Sequence, residues 1–533
     1  MIPNRLLAAA LPAALAATLA IAPPPVAART AVVEEQSIDQ LQAAMTARRA
    51  TSVDLTRAYL ARIAAMDRRG PTLRSVIALN PDALAQAKVL DAERRAGRVR
   101  GPLHGVPVLI KDNVETADPV ATTAGSLALA ANVTRRDAPL VARLRAAGAV
   151  ILGKTNLSEW ANIRSDRSLS GWSAVGGLVR NPYALDRTAC GSSSGSGAAV
   201  AASFAAAAVG TETDGSVTCP SSVNGLVGFK PTLGLVSRTH VVPISHSQDT
   251  AGPMTRSVRD AALLLSAMSA PDPADPATAG TQVRDYTAGL SAAALSGMRV
   301  AVVRPNDLSP ELTQRFDAAL AVLRASGATL VEVTSPKLDG LGEAEFQVLL
   351  SELKADLDAY LATTPAAVTT RTLDQVITFN RAHAAQEMPF FAQETFEKAA
   401  ATKGLADPTY KAARAKSLRL AGAEGIDAML AKAGAQILVQ PSYGAAWLSD
   451  TVYGDQYNGP SASSLPAIAG YPHLTVPMGL VRGLPVGLSF IGTRGADQRV
   501  LGAGYAYEQA SHARVSPRYL PVADAGSGVE GTR

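Results

Sequence analysis

Apolar residues recur at helical spacing soon after the N-terminus: Ile38, Leu41 and Met45, then Leu55, Tyr59, Ile63 and Met66, with Ser52 as the predicted N-cap of the second run. Both read as surface helices. From Leu103 the texture changes to Val106-Pro-Val-Leu-Ile110, a continuous apolar run with a polar end at Lys111-Asp-Asn113, as expected of a strand buried on both faces. Residues 139–147 are helical in pattern, Gly148 stops them, and Val150-Ile-Leu152 resumes as strand. Helix is again predicted over residues 255–268 and 312–325. Short strands are predicted over 298–303, 329–333 and 437–439, and a hairpin is predicted across Arg482-Gly483. This alternation predicts an α/β fold. Residues 271–279 are the best linker candidate, and residues 341–433 read as mostly helical without a chemical motif.

The residues before this pattern bear on destination. Arg5 precedes an apolar stretch over residues 6–22, followed by Pro23-Pro-Pro-Val-Ala-Ala28, which reads as a secretory signal peptide cut after Ala28. The competing reading, a membrane anchor, is weakened by the length of the run and by its prolines. The chain is therefore expected to be periplasmic or secreted, with no stable membrane insertion after processing. Composition narrows the class further. With 47% hydrophobic residues in 533, the chain can bury a large core, and 43 Gly with 33 Pro suit a turn-rich enzyme. The 50 basic and 45 acidic side chains leave a net charge of +5 without a run of like charge, so no nucleic-acid partner is expected.

The candidate chemistry is defined partly by what is missing. The six histidines lack ligand spacing, so no metal and no other cofactor is expected; His240 and His246 remain alternative bases. Gly191-Ser-Ser-Ser-Gly-Ser-Gly197 lacks the Gly-Lys-Ser/Thr ending of a phosphate loop. It also matches a nucleophile elbow centred on Ser193, but the polar, proline-broken stretch before it is not the strand an elbow requires. Ser192, Ser216 and Lys111 remain. If residues 195–207 form a helix, it runs about 20 Å outward, and a strand over residues 208–213 brings the chain about 20 Å back. Ser216 would then lie beside Ser192. A lysine can deprotonate a serine only when neutral, which requires its pKa to fall about 3 units from about 10.4. Burial at the end of a strand supplies much of that. Singly, each residue has a plain alternative: a helix cap for Ser192, a turn hydroxyl for Ser216, a solvated strand end for Lys111.

Taken together, Gly101-Pro-Leu-His-Gly-Val-Pro-Val-Leu-Ile-Lys111-Asp-Asn113, Cys190-Gly-Ser-Ser-Ser-Gly-Ser-Gly197 and Gly210-Thr-Glu-Thr-Asp-Gly-Ser216 resemble the motifs of the amidase signature family. The similarity continues through Gly228-Phe-Lys-Pro-Thr232, Asp249-Thr-Ala-Gly-Pro-Met254 and Val476-Pro-Met-Gly479, and is weakest over residues 341–433. The resemblance implies one large mixed β-sheet covered by helices on both faces, forming a single domain over residues 29–533, with residues 341–433 as a candidate substrate-specifying region. It implies a Ser/cis-Ser/Lys triad of Ser216 as nucleophile, Ser192 as relay and Lys111 as base, with backbone N–H groups of Thr213, Asp214, Gly215 and Ser216 as oxyanion donors. The family's usual Asp-x-Gly-Gly-Ser-Ile-Arg turn is here Glu212-Thr-Asp-Gly-Ser-Val-Thr218, with the acid lengthened and the arginine replaced by Thr218. That variant turn is most similar to exported bacterial peptide amidases, so the expected substrate is a short peptide amide or other small amide. Aliphatic or aryl amides come second. A tRNA amidotransferase component, which the leader opposes, and an inactive exported amide-binding protein are the other readings. If the two serines meet, Cys190 and Cys219 approach each other, and a disulfide and two free thiols are both open. Trp160 and Trp172 suit core packing better than a pocket wall.

Overall fold

The computed structural model describes residue 1 and residues 31–306 and 308–524, so nearly all of the leader expected at residues 1–28 lies outside the described residues. Thirteen strands occur in them: β1 Val76–Leu79, β2 Pro107–Lys111, β3 Val150–Thr155, β4 Trp172–Ser173, β5 Gly177–Leu178, β6 Ala207–Glu212, β7 Val227–Lys230, β8 Thr250–Thr255, β9 Arg299–Val303, β10 Thr329–Val333, β11 Ile437–Pro441, β12 His473–Val481 and β13 Leu484–Ile491. Eleven form one mixed sheet in the order β1-β3-β2-β6-β8-β7-β12-β13-β11-β9-β10; β4 and β5 pair separately. β2 lies parallel between β3 and β6, which explains its unbroken apolar run.

Helices cover both faces. Val258–Met268, Pro310–Ala325 and Asp497–Ser511 pack together along one side, and Ser194–Ala201 with Thr218–Val223 on the other. No helix among the described residues is long and apolar enough to cross a membrane. The predicted hairpin is β12–β13, turning at Arg482 and Gly483, both with positive φ. The two N-terminal helices are Ile38–Thr46 and Ser52–Met66; the second is capped by Thr51, not Ser52, because Asp54 at the third helical position closes a capping box with Thr51. Residues 271–279 are tied down: Asp275 pairs with Arg238, and Asp272 accepts hydrogen bonds from Ser237 and Thr239.

Residues 341–433 hold the helices Leu341–Leu361, Leu373–Ala382, Glu394–Ala400 and Pro408–Ala421, among others. Leu353, Leu357, Val376 and Phe396 make an apolar cluster there that also takes in Trp160. Trp160 stacks edge-on against Phe396, and Trp172 against Phe390 and Phe391, so both tryptophans are packing residues.

Candidate active site

Lys111 ends β2 with no exposed surface. Its Nζ lies 2.8 Å from Ser192 Oγ, 2.9 Å from Thr211 Oγ1 and 3.2 Å from the Thr211 carbonyl. Asn113 Nδ2 donates to the same Thr211 hydroxyl at 2.9 Å. Burial lowers the Lys111 pKa to about 7, opposed by the negative charges of Asp249 and Glu212. Among the described residues no carboxylate is within ion-pairing distance of Lys111. Lys154, equally buried on β3, sits 3.0 Å from Asp112. A neutral amine has two N–H bonds and one lone pair. Donating both to Thr211 leaves the lone pair for the Ser192 O–H.

Ser192 is wholly buried, and the Gly191–Ser192 peptide bond is cis. Its carbonyl accepts from Ser158 N at 3.0 Å. The helix that follows is shorter than the pattern predicted, ending at Ala201, and the chain turns through Ser203 in a left-handed conformation before β6 begins at Ala207. The conclusion drawn from that spacing nevertheless holds, since Ser193 N donates to Ser216 O at 3.1 Å and the two turns touch. Ser193 is no elbow: its buried hydroxyl donates to Thr211 O at 3.0 Å and accepts from Thr211 N at 3.2 Å, bracing the turn against β6.

Ser216 follows Gly215, whose φ of +79° favours glycine and whose Cβ, if present, would stand 2.4 Å from the Tyr443 hydroxyl. Behind this turn the lengthened acid holds the backbone that follows Ser216. Glu212 Oε2 accepts from Val217 N at 2.7 Å, Thr218 N at 2.9 Å and Thr218 Oγ1 at 3.1 Å. Among the described residues, the backbone N–H groups of Thr213, Asp214, Gly215 and Ser216 enter no turn or loop hydrogen bond within the protein. Burial raises the pKa of Asp214, and a Cβ on the next residue, Gly215, would also stand 3.1 Å from Ser463 Oγ. Burial, and the neighbouring charge of Asp214, push Glu345 up to about 8, and Gln248 Nε2 donates both to Glu345 Oε1 at 3.0 Å and to the Thr213 carbonyl at 3.3 Å. Cys190 and Cys219 form a disulfide with their Cα atoms 6.0 Å apart, closing the alternative of two free thiols.

Neither candidate histidine hydrogen-bonds to Lys111, Ser192 or Ser216. His246 Nδ1 lies 2.9 Å from Asp356 Oδ2 and Nε2 lies 3.3 Å from Glu352 Oε1. His246, Glu352 and Asp356 are the one trio among the described residues near enough to share an ion, and they instead fasten residues 244–249 to the helix Leu341–Leu361. Sequence reasoning missed Thr211, Asn113 and Ser158. Thr211 and Asn113 lie inside stretches already singled out, where only their position next to a candidate residue could have marked them.

The amidase family model matches residues 54–501. A probable amidase of Arabidopsis thaliana is 38% identical over 501 residues, covering 92% of each chain. A putative amidase of Schizosaccharomyces pombe is 33% identical over 521 residues, covering 91% of this chain and 87% of its own. The solved peptide amidase of Stenotrophomonas maltophilia is 52% identical with a TM-score of 0.87, covering 91% of this chain and 99% of its own. A peptide amidase solved with the competitive inhibitor chymostatin has the same identity and coverage and a TM-score of 0.88. By the length of the match and the shared fold, the chain belongs to the amidase signature family and is an amidohydrolase acting on carbon–nitrogen amide bonds.

Proposed function

We propose that the protein is an exported peptide amidase, removing the C-terminal amide nitrogen of short peptides through an acyl-enzyme on Ser216. The observation that carries the chemistry is the sealed contact between Lys111 and Ser192, 2.8 Å, beside a turn that presents Ser216. Neutral Lys111 takes the Ser192 proton while Ser192 takes that of Ser216, and the Ser216 oxygen attacks the amide carbon. The carbonyl becomes an oxyanion facing the N–H groups of Thr213, Asp214, Gly215 and Ser216. The proton returns through Ser192 to the nitrogen, the C–N bond breaks, and ammonia leaves. Water then repeats the attack on the ester, releasing the peptide acid and restoring Ser216.

The 52% identity to peptide amidase over nearly the full length of both chains supports the substrate class. The leader pattern and the Cys190–Cys219 disulfide, a bond that persists in oxidising compartments, support export. Ammonia release from amidated dipeptides against simple aryl amides tests the substrate. Ser216→Ala and Lys111→Met should each lower kcat by about 10³-fold or more with the fold retained by circular dichroism. Unaltered turnover in both variants overturns the assignment.

A further inference from the structure

β9 and β11 run parallel side by side, but their connections diverge. β9 crosses to β10 through Pro310–Ala325, and β10 returns past β9 to β11 through the helices of residues 341–433. Right-handed crossovers in opposite directions place their helices on opposite faces, which leaves a crevice beyond the carboxyl ends of β9 and β11, where α/β sheets bind ligands.

A crevice is present there in two connected parts. The outer part, about 540 Å³, is polar, with Asn306, Thr334, Ser335, Gln440 and Ser461 in its wall. Arg304 and Glu332 also border it, 3.6 Å apart, and these two charges of the mouth offset each other; Asp317, 2.9 Å from the Arg304 guanidinium, lies outside the lining. The inner part, about 160 Å³, is apolar, lined by Leu338, Ile426, Met429, Leu438, Leu465 and Ile491. Gln440 and Ser335 border both parts, and among the described residues neither side chain has a hydrogen-bond partner. Ile426 reaches the floor from a π-helical turn, Gly422–Asp427, where the helix beginning at Pro408 is widened. Such turns cluster at functional sites.

The crevice also leads toward the reacting centre. One wall includes Ser464, whose neighbour Ser463 packs against the turn of the nucleophile, its Oγ 3.1 Å from where a Cβ on Gly215 would stand. The other includes Leu338, just ahead of the helix whose Glu345 is tied through Gln248 to the Thr213 carbonyl, at 3.0 and 3.3 Å.

We infer that this crevice is the subsite for an apolar side chain of the peptide upstream of the scissile amide, with Gln440 and Ser335 hydrogen-bonding the peptide groups at its mouth. The inference rests on the peptide amidase reading. A neutral mouth with amide and hydroxyl groups over an apolar floor suits a peptide backbone bearing a leucine or phenylalanine, and suits neither an anion nor a cation.

The test uses the mature enzyme with amidated tripeptides that carry Leu, Phe, Ser or Gly upstream of a common C-terminal residue, and N-acetylglycinamide as a substrate too short to reach the crevice. The wild type should prefer Leu or Phe over Gly by about 10-fold in kcat/KM, mostly through KM. Ile426→Trp, which fills the floor, should cut the ratio of kcat/KM for the Leu tripeptide to that for N-acetylglycinamide by about 10-fold. Gln440→Ala, at the solvent side, should cut it about 3-fold and guards against misfolding of the first variant. Amidated peptides hydrolysed with no preference, or with ratios that neither variant moves, overturn the subsite alone. Hydrolysis of no amidated peptide by the wild type overturns the peptide amidase reading with it.

Discussion

Lys111 owes its chemistry to isolation. With no carboxylate within ion-pairing distance among the described residues, burial outweighs the more distant charges of Asp249 and Glu212, and a pKa of about 7 makes about half of the amine neutral near pH 7. If the neutral form is the base, kcat/KM rises with pH through about 7 and levels above it. A pH profile flat between 5 and 8 would rule out that titration. Asp249 carries a nearby negative charge that favours the protonated amine, so Asp249→Asn should move the rise to lower pH. Gly215→Ala combines a left-handed backbone, costing about 1–2 kcal/mol, with a clash against Tyr443, and should lower kcat/KM about 10-fold or more. Adding Tyr443→Phe should restore part of that loss if the hydroxyl is the obstacle. Lys111, Ser192 and Ser216 could be singled out in the sequence because turn glycines and a strand-end lysine leave a signature. Thr211, which holds Lys111 with both its oxygens, left none, since a threonine near the end of a strand is unexceptional until the fold places it.

The elements were legible where their pattern was long and local, and misplaced where tertiary packing decided. The alanine-rich run after Gly195 has helix propensity throughout, which predicted a helix to residue 207, yet the helix stops at Ala201 and Phe204 is wholly buried past the turn. At Thr51 and Ser52 either hydroxyl could cap, and the choice fell to the partner three residues on. The glycine turn of Ser192 and the helix after Ser216 are also joined covalently through Cys190 and Cys219, 29 residues apart. Replacing both cysteines with serine should lower stability by about 3–4 kcal/mol, the entropy of a loop that size, read as a shift in denaturation midpoint. A midpoint that stays in place would assign the bond no such role.

For the molecule as a whole, the alternation of strand and helix predicted an α/β sheet, but the order of eleven strands could not be read from local pattern; the family resemblance supplied the mixed sheet. The export reading makes its own prediction: a Gram-negative host given the whole coding sequence should deposit protein in the periplasm with an intact mass beginning at residue 29, and a product retaining residues 1–28 would remove it. Lys111, Ser192 and Ser216 all lie before the midpoint of the chain, yet β7 from that half pairs with β12 from the other, and Gly215 leans on Tyr443. A fragment ending near residue 270 would hold all three side chains and still expose an unpaired strand edge, inviting self-association. Activity would return only on mixing with the complementary piece, so the gene cannot be shortened to its reactive half.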